Sequence, residues 1–315
     1  MAVLLIRRLV QLIVVLLVVT FLSYWLINLL PGDPAMQILG FGGDAQAIAR
    51  VRHQLGLDEP LIVRYVGWLG GLVHGDLGTS YISSLPVGPS LAERMPVTLE
   101  LLVLAQVLAL AVAVPLGMVS AKRAGRPADR AITTISFGLL STPVFVSGVL
   151  LIMVFAVQIP LLPATGYTSL ASDPVDNLRT LALPTVTLAA GQLAVYTRLL
   201  RTDLIATLQE DYILLARARG FSPRRIMWQH ALRPSAITLV TAIGLNLGAL
   251  IGGSVIIEQL FGLPGIGRLI VEAIFSRDYL VVQGGVMVVA VGYVIVNFAV
   301  DLLYSGIDPR IRRAG

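Results

Sequence analysis

Six apolar stretches of about 20 residues or more constrain what this chain of 315 residues can fold into. A helix needs about 20 apolar residues to cross the roughly 30 Å hydrocarbon core of a lipid bilayer. The stretches lie at approximately residues 9–30, 101–121, 131–159, 181–200, 236–257 and 281–303. Pro143 and Pro184 interrupt the third and fourth, which spanning helices tolerate when neighbouring groups satisfy the freed carbonyl. The sequence therefore predicts an all-α integral membrane protein with six transmembrane helices.

The distribution of basic residues predicts the orientation of these helices. With the amino terminus in the cytoplasm, 16 of the 23 Lys and Arg residues lie in cytoplasmic segments. The other seven lie on the outer side, although the outer segments are longer: Arg50, Arg52, Arg64, Arg94, Arg179, Arg268 and Arg277. Because cytoplasmic loops carry an excess of basic residues, we expect both termini to be cytoplasmic. Membrane topology then accounts for the net charge of +5, and no nucleic-acid partner is indicated.

A long polar segment after the first predicted span suggests a division of the chain. The span is longer than the apolar core of a typical signal peptide and no small-x-small cleavage site follows it, so we expect it to be retained. Residues 1–95 would comprise this helix and an external segment, and residues 96–315 a core of five helices. The external segment, approximately residues 31–96, is either a covering of the helix bundle or a docking surface for an external partner.

A basic segment, Asp211–Pro234, lies in the longest predicted cytoplasmic loop and reads DYILLARARGFSPRRIMWQHALRP. Its five arginines exclude a span, because burying them at the bilayer centre would cost roughly 15 kcal/mol. An acidic start, with Arg217 and Arg219 toward the end, complements the dipole of a short helix. Gly220 then offers the left-handed conformation that ends a helix. We expect a helix from about Asp211 to a tight corner.

Signals for a second helix follow directly after this corner. Ser222 is a favourable N-cap, Pro223 fits the first helical position, and Phe221 can pack on Ile226. We expect this helix to be short, with Pro234 marking the entry to the fifth span. The segment is therefore predicted to be two short helices with a tight corner, not a flexible linker.

Three interpretations of the basic segment are open from its residues. It could be a solvated loop on anionic lipid, in which each arginine contributes about 1 kcal/mol. It could be a nucleic-acid-binding helix-turn-helix, which its position between two spans disfavours. It could also be a protrusion that fits a groove on a cytoplasmic protein. The third interpretation explains why the segment contains apolar residues, which are unfavourable in water and unnecessary for contact with anionic lipid. They are Tyr212, Leu215, Phe221, Ile226, Met227 and Trp228.

The sequence contains no recognisable site for ATP, a metal or covalent catalysis. A phosphate-binding loop requires Gly-Lys followed by Ser or Thr, and the only lysine, Lys122, is followed by arginine. The chain has no cysteine, and His53, His74 and His230 lie in different loops on opposite predicted sides of the membrane. No triad or metal cluster is expected from this pattern. We therefore expect no catalytic site, metal or cofactor in this chain.

Polar residues within the predicted spans are few, and each has two interpretations. Glu100, Glu258 and Asp301 can be interfacial or packing groups, or proton sites of an ion-coupled secondary transporter. Gln106 and Asn246 can join helices or line a polar translocation path. Six helices without an energy source favour a subunit of a larger assembly, and a membrane-anchored assembly or signalling protein is a further alternative.

Three glycines recur every four residues on one face of the fifth span: Gly244, Gly248 and Gly252. This spacing permits the close approach of a neighbouring helix. That helix can belong to this chain or to a partner subunit.

The basic segment and five further motifs resemble one family along the whole chain. They are PGDP at Pro31–Pro34, HGDLGTS at His74–Ser80, FGLPGIGRL at Phe261–Leu269, RDYLVVQGG at Arg277–Gly285 and DPRIRR at Asp308–Arg313. In this order they are similar to the permease subunits of bacterial ABC importers of the dipeptide, oligopeptide and nickel group. The resemblance covers essentially all 315 residues.

The resemblance implies a type I ABC importer transmembrane domain in the bacterial inner membrane. Such a permease pairs with a second, homologous permease, and two cytoplasmic ATP-binding subunits hold the ATP and Mg²⁺. An extracytoplasmic substrate-binding protein docks on the outer face. The implied cargo is a peptide, with nickel chelates and glutathione-like molecules as alternatives within the same group.

The resemblance also implies roles for particular residues. A coupling helix in the ATPase cleft would present Ala216, Arg217, Ala218, Arg219, Gly220, Phe221, Ser222, Arg224 and Arg225. An external gate, or a contact with the binding protein, would involve Glu258, Pro264, Gly265 and Gly267. Closure of the ATPase subunits would thereby reach the spans through residues 211–234.

Overall fold

The computed structural model describes residues 2–29, 34–39 and 44–307, and no β-strand is present in this part of the chain. Its helices are α1 Ala2–Leu29, α2 Pro34–Leu39, α3 Ala45–Gln54, α4 Leu61–Val73, α5 Val87–Lys122, α6 Pro127–Ser141, α7 Val144–Ile152, α8 Pro174–Thr207, α9 Asp211–Ala218, α10 Pro223–Arg225, α11 Leu232–Phe261, α12 Ile266–Ser276 and α13 Tyr279–Ile307. Wider π-helical turns, Met153–Gln158 and Ile226–Ala231, follow α7 and α10.

Several of these helices are long and apolar enough to cross a membrane. Four segments of the described chain qualify: Val87–Lys122, Pro174–Thr207, Pro223–Phe261 and Tyr279–Phe298. A fifth results if Pro127–Ser141 and Val144–Gln158 count as one span, and the described apolar part of α1, Ile13–Leu26, is shorter. The all-α membrane fold is confirmed, while the count of six spans and the cytoplasmic termini stay predictions. The motif at 308–313, most of the motif at 31–34 and the side chain of Asp301 lie outside the described residues.

The third predicted span is not one straight helix. α6 and the helical segment that begins with α7 meet at an angle of 102°. Thr142 between them adopts the extended conformation that a following proline imposes, with φ −91° and ψ 121°. Its N–H and its hydroxyl both bond to the Gly138 carbonyl, at 3.2 and 2.8 Å. Pro143 therefore breaks the chain's direction, whereas Pro184 lies buried inside the uninterrupted α8.

The described chain forms two compact units. Unit 1 comprises Met1–Thr98 and Pro264–Val294, and unit 2 comprises Leu99–Leu263 and Ile295–Gly315. Helices α5 and α13 contribute residues to both. The predicted domains, 1–95 and 96–315, follow the order of the chain rather than these contacts, and they stay a prediction.

Helix α8 is the centre of unit 2, where it packs against α6, α7 and α11. Small residues allow this packing. A side chain on Gly148 of α7 would collide with Leu260 and crowd Thr187, and a Cβ on Gly253 of α11 would lie 3.0 Å from Leu188 of α8. Close approach of these helices therefore depends on glycines at two contact points.

In unit 1, two of the motifs found in the sequence contact each other. The Ser80 hydroxyl donates to the Asp278 carboxylate, which also accepts from the Tyr81 N–H at 3.2 Å. Gly78 has a φ of 86°, and a Cβ on it would lie 2.9 Å from Leu280. His74–Ser80 and Arg277–Gly285 thus form one closely packed structure, so this part of the predicted external segment is folded against the start of α13.

We expect Asp278→Ala to destabilise the protein by about 2–4 kcal/mol, because it leaves the Ser80 hydroxyl and the Tyr81 N–H without their acceptor in a buried place. The midpoint of thermal unfolding in detergent measures the change. Asp58→Ala is the matched control, since the ion pair of Asp58 with Arg52 is exposed and should contribute under about 1 kcal/mol. Equal midpoints for the two variants would contradict the assigned contact.

Candidate functional site

The first arm of the basic segment is α9, Asp211–Ala218, which ends at the predicted corner. Gly220 has a φ of 79°, the left-handed conformation that favours glycine. Its N–H donates to the Arg217 carbonyl at 2.9 Å, and the Phe221 N–H donates to the Ala216 carbonyl at 3.2 Å. This pair of bonds is the Schellman pattern of a helix end. The corner is therefore fixed by backbone hydrogen bonds and by one glycine.

The second arm begins as predicted but continues further. The Arg225 N–H donates to the Ser222 hydroxyl at 3.4 Å, and Pro223 occupies the first helical position. The helical segment then runs from Pro223 to Phe261 without a break. The expectation of a short second helix that ends before Pro234 is wrong, because the second arm is the beginning of the fifth predicted span.

The local hydrogen bonds explain why Pro234 does not interrupt this helix. Proline has no N–H, so it leaves the carbonyl four residues earlier, that of His230, without its usual helical donor. The Tyr212 hydroxyl of α9 donates to this carbonyl at 3.2 Å, and the preceding turns, Ile226–Ala231, have the wider π-helical form. Partial burial and the nearby Glu210 carboxylate raise the pKa of Tyr212.

The underside of the corner is packed into unit 2. Ile213, Ala216 and Ile226 form a buried cluster, with Leu208 and Phe221 against it. Met227 and Ala231 join a second cluster with buried side chains of α5 and α8, namely Met118, Ala121, Leu200 and Leu204. Packing within the chain thus accounts for two of the apolar residues that had suggested a partner, Ile226 and Met227. Because interiors are close-packed, a displacement of the corner displaces the ends of α5 and α8.

The outward face of the corner combines exposed apolar and basic side chains. Tyr212 and Trp228 are 44% and 58% exposed, and Leu214 and Leu215 are exposed to a similar degree. The arginines at 217, 219, 224 and 225 are exposed as well. Exposed apolar and arginine side chains on a packed support are typical of a protein interface.

Phe221 is held between two residues of the second arm. Its ring stacks on that of His230, with centroids 5.4 Å apart and planes inclined by 9°. The Arg225 guanidinium lies over the Phe221 ring at 4.6 Å, and its Nε–H donates to the Gln229 side-chain oxygen, Oε1, at 2.9 Å. His230 was not among the predicted site residues, because its contact with Phe221 forms only after the corner has folded.

The structure brings the predicted coupling residues together on this corner. Arg217, Ala218, Arg219, Gly220, Ser222, Arg224 and Arg225 are exposed and Phe221 is half-buried, whereas Ala216 is buried. A cleft of about 410 Å³ lies beside them and is lined by Arg217, Phe221, Ile226 and Lys122 among others. Lys122, the only lysine, was missed as a neighbour of this site. The assigned roles stay a prediction.

An ion pair in unit 2 joins α6 to α8. The Arg201 guanidinium bonds both carboxylate oxygens of Asp129, at 2.6 and 2.8 Å. The Ser120 hydroxyl and the Gly125 N–H also donate to this carboxylate, the latter at 2.8 Å. Asp129 is only 3% exposed. The carboxylate therefore fixes the turn between α5 and α6 against α8, which leads directly into the corner.

The polar and small residues predicted for a path or for packing behave differently from one another. The side-chain oxygen of Gln106 accepts a hydrogen bond from the Tyr196 hydroxyl of α8 at 3.2 Å. The side-chain amide of Asn246 instead donates to the backbone carbonyl of Ala242 in its own helix, at 2.8 Å. Gly244 is buried, but Gly248 and Gly252 are exposed. Among the described residues, no heavy atom lies within 4 Å of a Cβ placed on Gly252. The glycine that α11 presents to α8 is the neighbouring Gly253.

The residues predicted for an external gate are mostly buried. Glu258, Gly265 and Gly267 are buried, and Pro264 is half-buried. The Leu263 N–H donates to the Glu258 carbonyl at 2.9 Å, after Gly262 with a φ of 66°, so α11 ends in a second Schellman-type turn. In the part of the chain that the structure describes, no three His, Asp or Glu residues are placed to hold a metal ion.

Long apolar helices and an exposed basic corner are consistent with a membrane transport subunit, and comparisons with known proteins agree. A family model described as "Binding-protein-dependent transport system inner membrane component" matches residues 113–313, and its N-terminal companion matches residues 1–102. The chain therefore belongs to the binding-protein-dependent inner-membrane transport components. The predicted resemblance to ABC importer permeases of the peptide group is confirmed, and an ion-coupled transporter is not favoured.

Two curated relatives span nearly the whole chain. A "probable peptide ABC transporter permease protein" of Sinorhizobium fredii is 41% identical over 312 residues, which are 99% of this chain and 100% of the relative. The glutathione transport system permease protein GsiC of Escherichia coli K12 is 38% identical over 307 residues, or 98% of each chain. Among solved structures, a chain of the inward-facing MetNI methionine ABC transporter matches with a TM-score of 0.57 and 20% identity. The match covers 69% of this chain and 96% of that one, so the two share a fold.

Proposed function

We propose that this chain forms part of the path by which an ATP-driven importer moves peptides across the inner membrane. A second permease subunit would complete the path, two cytoplasmic subunits would bind ATP and Mg²⁺, and an external binding protein would deliver the cargo. Peptides are the cargo named for the S. fredii relative, and glutathione is the cargo named for GsiC. Glutathione-like molecules and nickel chelates are therefore the alternatives to peptides.

The observation that carries this proposal is the corner formed by Asp211–Ser222. It has an exposed face of arginine and apolar side chains, and its underside packs on Ile226 of the second arm, whose Met227 and Ala231 pack on α5 and α8. A partner that moves this face would move two long helices as well. A chain whose sequence has no phosphate-binding loop thus receives mechanical work from ATP that another subunit hydrolyses.

A cysteine crosslinking experiment tests the ATPase contact, and the cysteine-free sequence makes single-site labelling direct. We expect Arg219→Cys, at the exposed corner, to crosslink to the ATP-binding subunit of the complex through a reagent that joins thiols to amines. Ala216→Cys is the matched control, because this residue is buried under the same corner and should not react. Absence of a crosslink from every exposed position between 217 and 225 would contradict the proposal.

A further inference from the structure

A cavity of about 160 Å³ lies inside unit 2 at the bend between α6 and α7. Thr142 and Val144 line it from the bend, Thr187 and Gln192 from α8, and Ala249 from α11. It lies in the part of the chain that was predicted to form the third, fourth and fifth spans. Gln192 was not among the predicted site residues, and no role was predicted for the bend.

Gln192 gives this cavity an unsatisfied polar group. Its side chain is 7% exposed, and its Oε1 atom has no hydrogen-bond donor among the described residues. Buried acceptors without a donor are rare in native structures and unfavourable. Thr187, which lines the same cavity, differs because its hydroxyl donates to the Leu183 carbonyl at 2.7 Å. The cavity thus offers one free acceptor.

Gln192 is part of a polar line along one face of α8. Thr185, Gln192 and Tyr196 follow at intervals of seven and four residues, which share a helix face. The Thr185 hydroxyl also has no partner among the described residues, and Tyr196 bonds Gln106 of α5. From 185 to 196 the line is roughly 16 Å long, about half the thickness of the hydrocarbon core. Polar atoms over this depth suit the passage of a polar molecule.

The bend between α6 and α7 has hydrogen-bond donors, the N–H groups at the start of α7. The first N–H groups of any helix lack an intrahelical acceptor, and Val144, the first residue of α7, lines the cavity. Broken helices at membrane depth occur where the backbone lines a cavity, and they are a recurrent construction of transport sites. Val144, whose N–H is one of these groups, therefore lines the same cavity as the acceptor of Gln192.

We propose that this cavity is a cargo subsite in which the Gln192 carboxamide accepts a hydrogen bond from a peptide N–H. A peptide unit has one donor and one acceptor, which match Gln192 and the start of α7. The cavity is smaller than the roughly 300–1,000 Å³ of sites that enclose a whole ligand. It therefore holds one part of a peptide, and weakly, as passage through a membrane requires. This inference rests on the proposed peptide-import function.

Protection of a cysteine introduced in place of Ala249 tests the subsite in the complete detergent-solubilised complex. In the Ala249→Cys variant, tri-alanine at ten times a dissociation constant of about 1 mM should slow alkylation by N-ethylmaleimide about tenfold. Tri-alanine methylated at its two peptide nitrogens keeps its terminal ammonium group but lacks the peptide N–H donors, and should slow the reaction less than about twofold. Equal protection by the two peptides, or an introduced cysteine that does not react even without peptide, would overturn the proposal.

Variants at two lining residues separate a hydrogen bond from simple filling of the cavity. We expect Gln192→Leu to remove protection by tri-alanine. Thr187→Val replaces a hydroxyl that is already bonded to the Leu183 carbonyl and should keep the protection. If the leucine variant does not assemble, Gln192→Met replaces it, since methionine adapts to irregular spaces. Full protection in the variant at Gln192 would overturn the assignment.

The alkylation assay and the ATPase crosslinking assay test the two proposals independently. Protection by tri-alanine without any ATPase crosslink would support the subsite and contradict the proposed coupling. A crosslink together with equal protection by both peptides would leave the importer function standing and overturn the role of Gln192.

Discussion

Gly220→Val is expected to lower ATP-driven peptide uptake about tenfold while the protein remains in the membrane. Gly220 has a φ of 79° and completes the hydrogen bonds that fix the corner. A side chain in the left-handed conformation costs about 1–2 kcal/mol, and branching at Cβ aggravates it. Because about 1.4 kcal/mol is a factor of ten in an equilibrium, the corner would often adopt a relaxed shape that no longer fits the ATPase. Uptake per ATP hydrolysed, measured in proteoliposomes, reports this loss.

A series at Gly220 distinguishes backbone strain from the size of the side chain. No heavy atom of the described chain lies within 4 Å of a Cβ at this position. Asparagine adopts the left-handed conformation more readily than other residues, so Gly220→Asn should keep most of the uptake, with Gly220→Ala between it and the valine variant. Equal losses for asparagine and valine would assign the effect to side-chain volume in the partner's groove. Unchanged uptake for valine would mean that the corner does not transmit force.

The corner could be predicted from the sequence because its signals are local. The hydrogen bonds that end α9 at Gly220 and begin the next helix at Ser222 join residues at most five positions apart. The continuation beyond Pro234 could not be predicted, since it depends on a hydroxyl from another helix. Tyr212 lies 18 residues before the carbonyl that it bonds, and no rule of spacing within one helix identifies such a donor.

Two prolines in apolar stretches differ in whether the helix continues through them. Pro184 remains inside α8, whose neighbours bury it, whereas at Pro143 the chain turns by 102°. The sequence marks both as possible interruptions, but the packing around each decides whether the helix continues. The cavity beside Gln192 exists because of that turn, so it could not be anticipated from the position of Gln192 alone.

Hydrogen bonds between distant residues were the least predictable part of the fold. Ser80 and Asp278 are 198 positions apart, and Asp129 and Arg201 are 72 apart. In the sequence, Arg201 contributed only to the count of cytoplasmic positive charges. A single sequence shows which groups are polar, but it does not show which carboxylate a given arginine meets after folding.

Arg201→Met is expected to destabilise the protein by about 2–4 kcal/mol, because it leaves the buried Asp129 carboxylate without its charged partner, although Arg201 itself is partly exposed. Asp129 would keep its bonds from Ser120 and Gly125 but lose both bonds from the guanidinium. The measurement is the midpoint of unfolding in detergent. Arg130→Met is the matched control, since Arg130 is the exposed neighbour of Asp129, and a change within about 0.5 kcal/mol is expected.

The double variant Asp129→Leu with Arg201→Met separates the ion pair from the packing of the two side chains. Replacing both partners of a buried pair with apolar residues is often neutral or stabilising, but leucine also leaves the buried Ser120 hydroxyl without its acceptor. We therefore expect the double variant to recover part of the lost stability. Its peptide uptake should nevertheless stay below that of the original protein. Leucine bonds neither Ser120 nor Gly125, so the turn between α5 and α6 would no longer be fixed to α8, the helix that leads into the corner. Recovery of full uptake together with stability would show that the pair contributes only to folding.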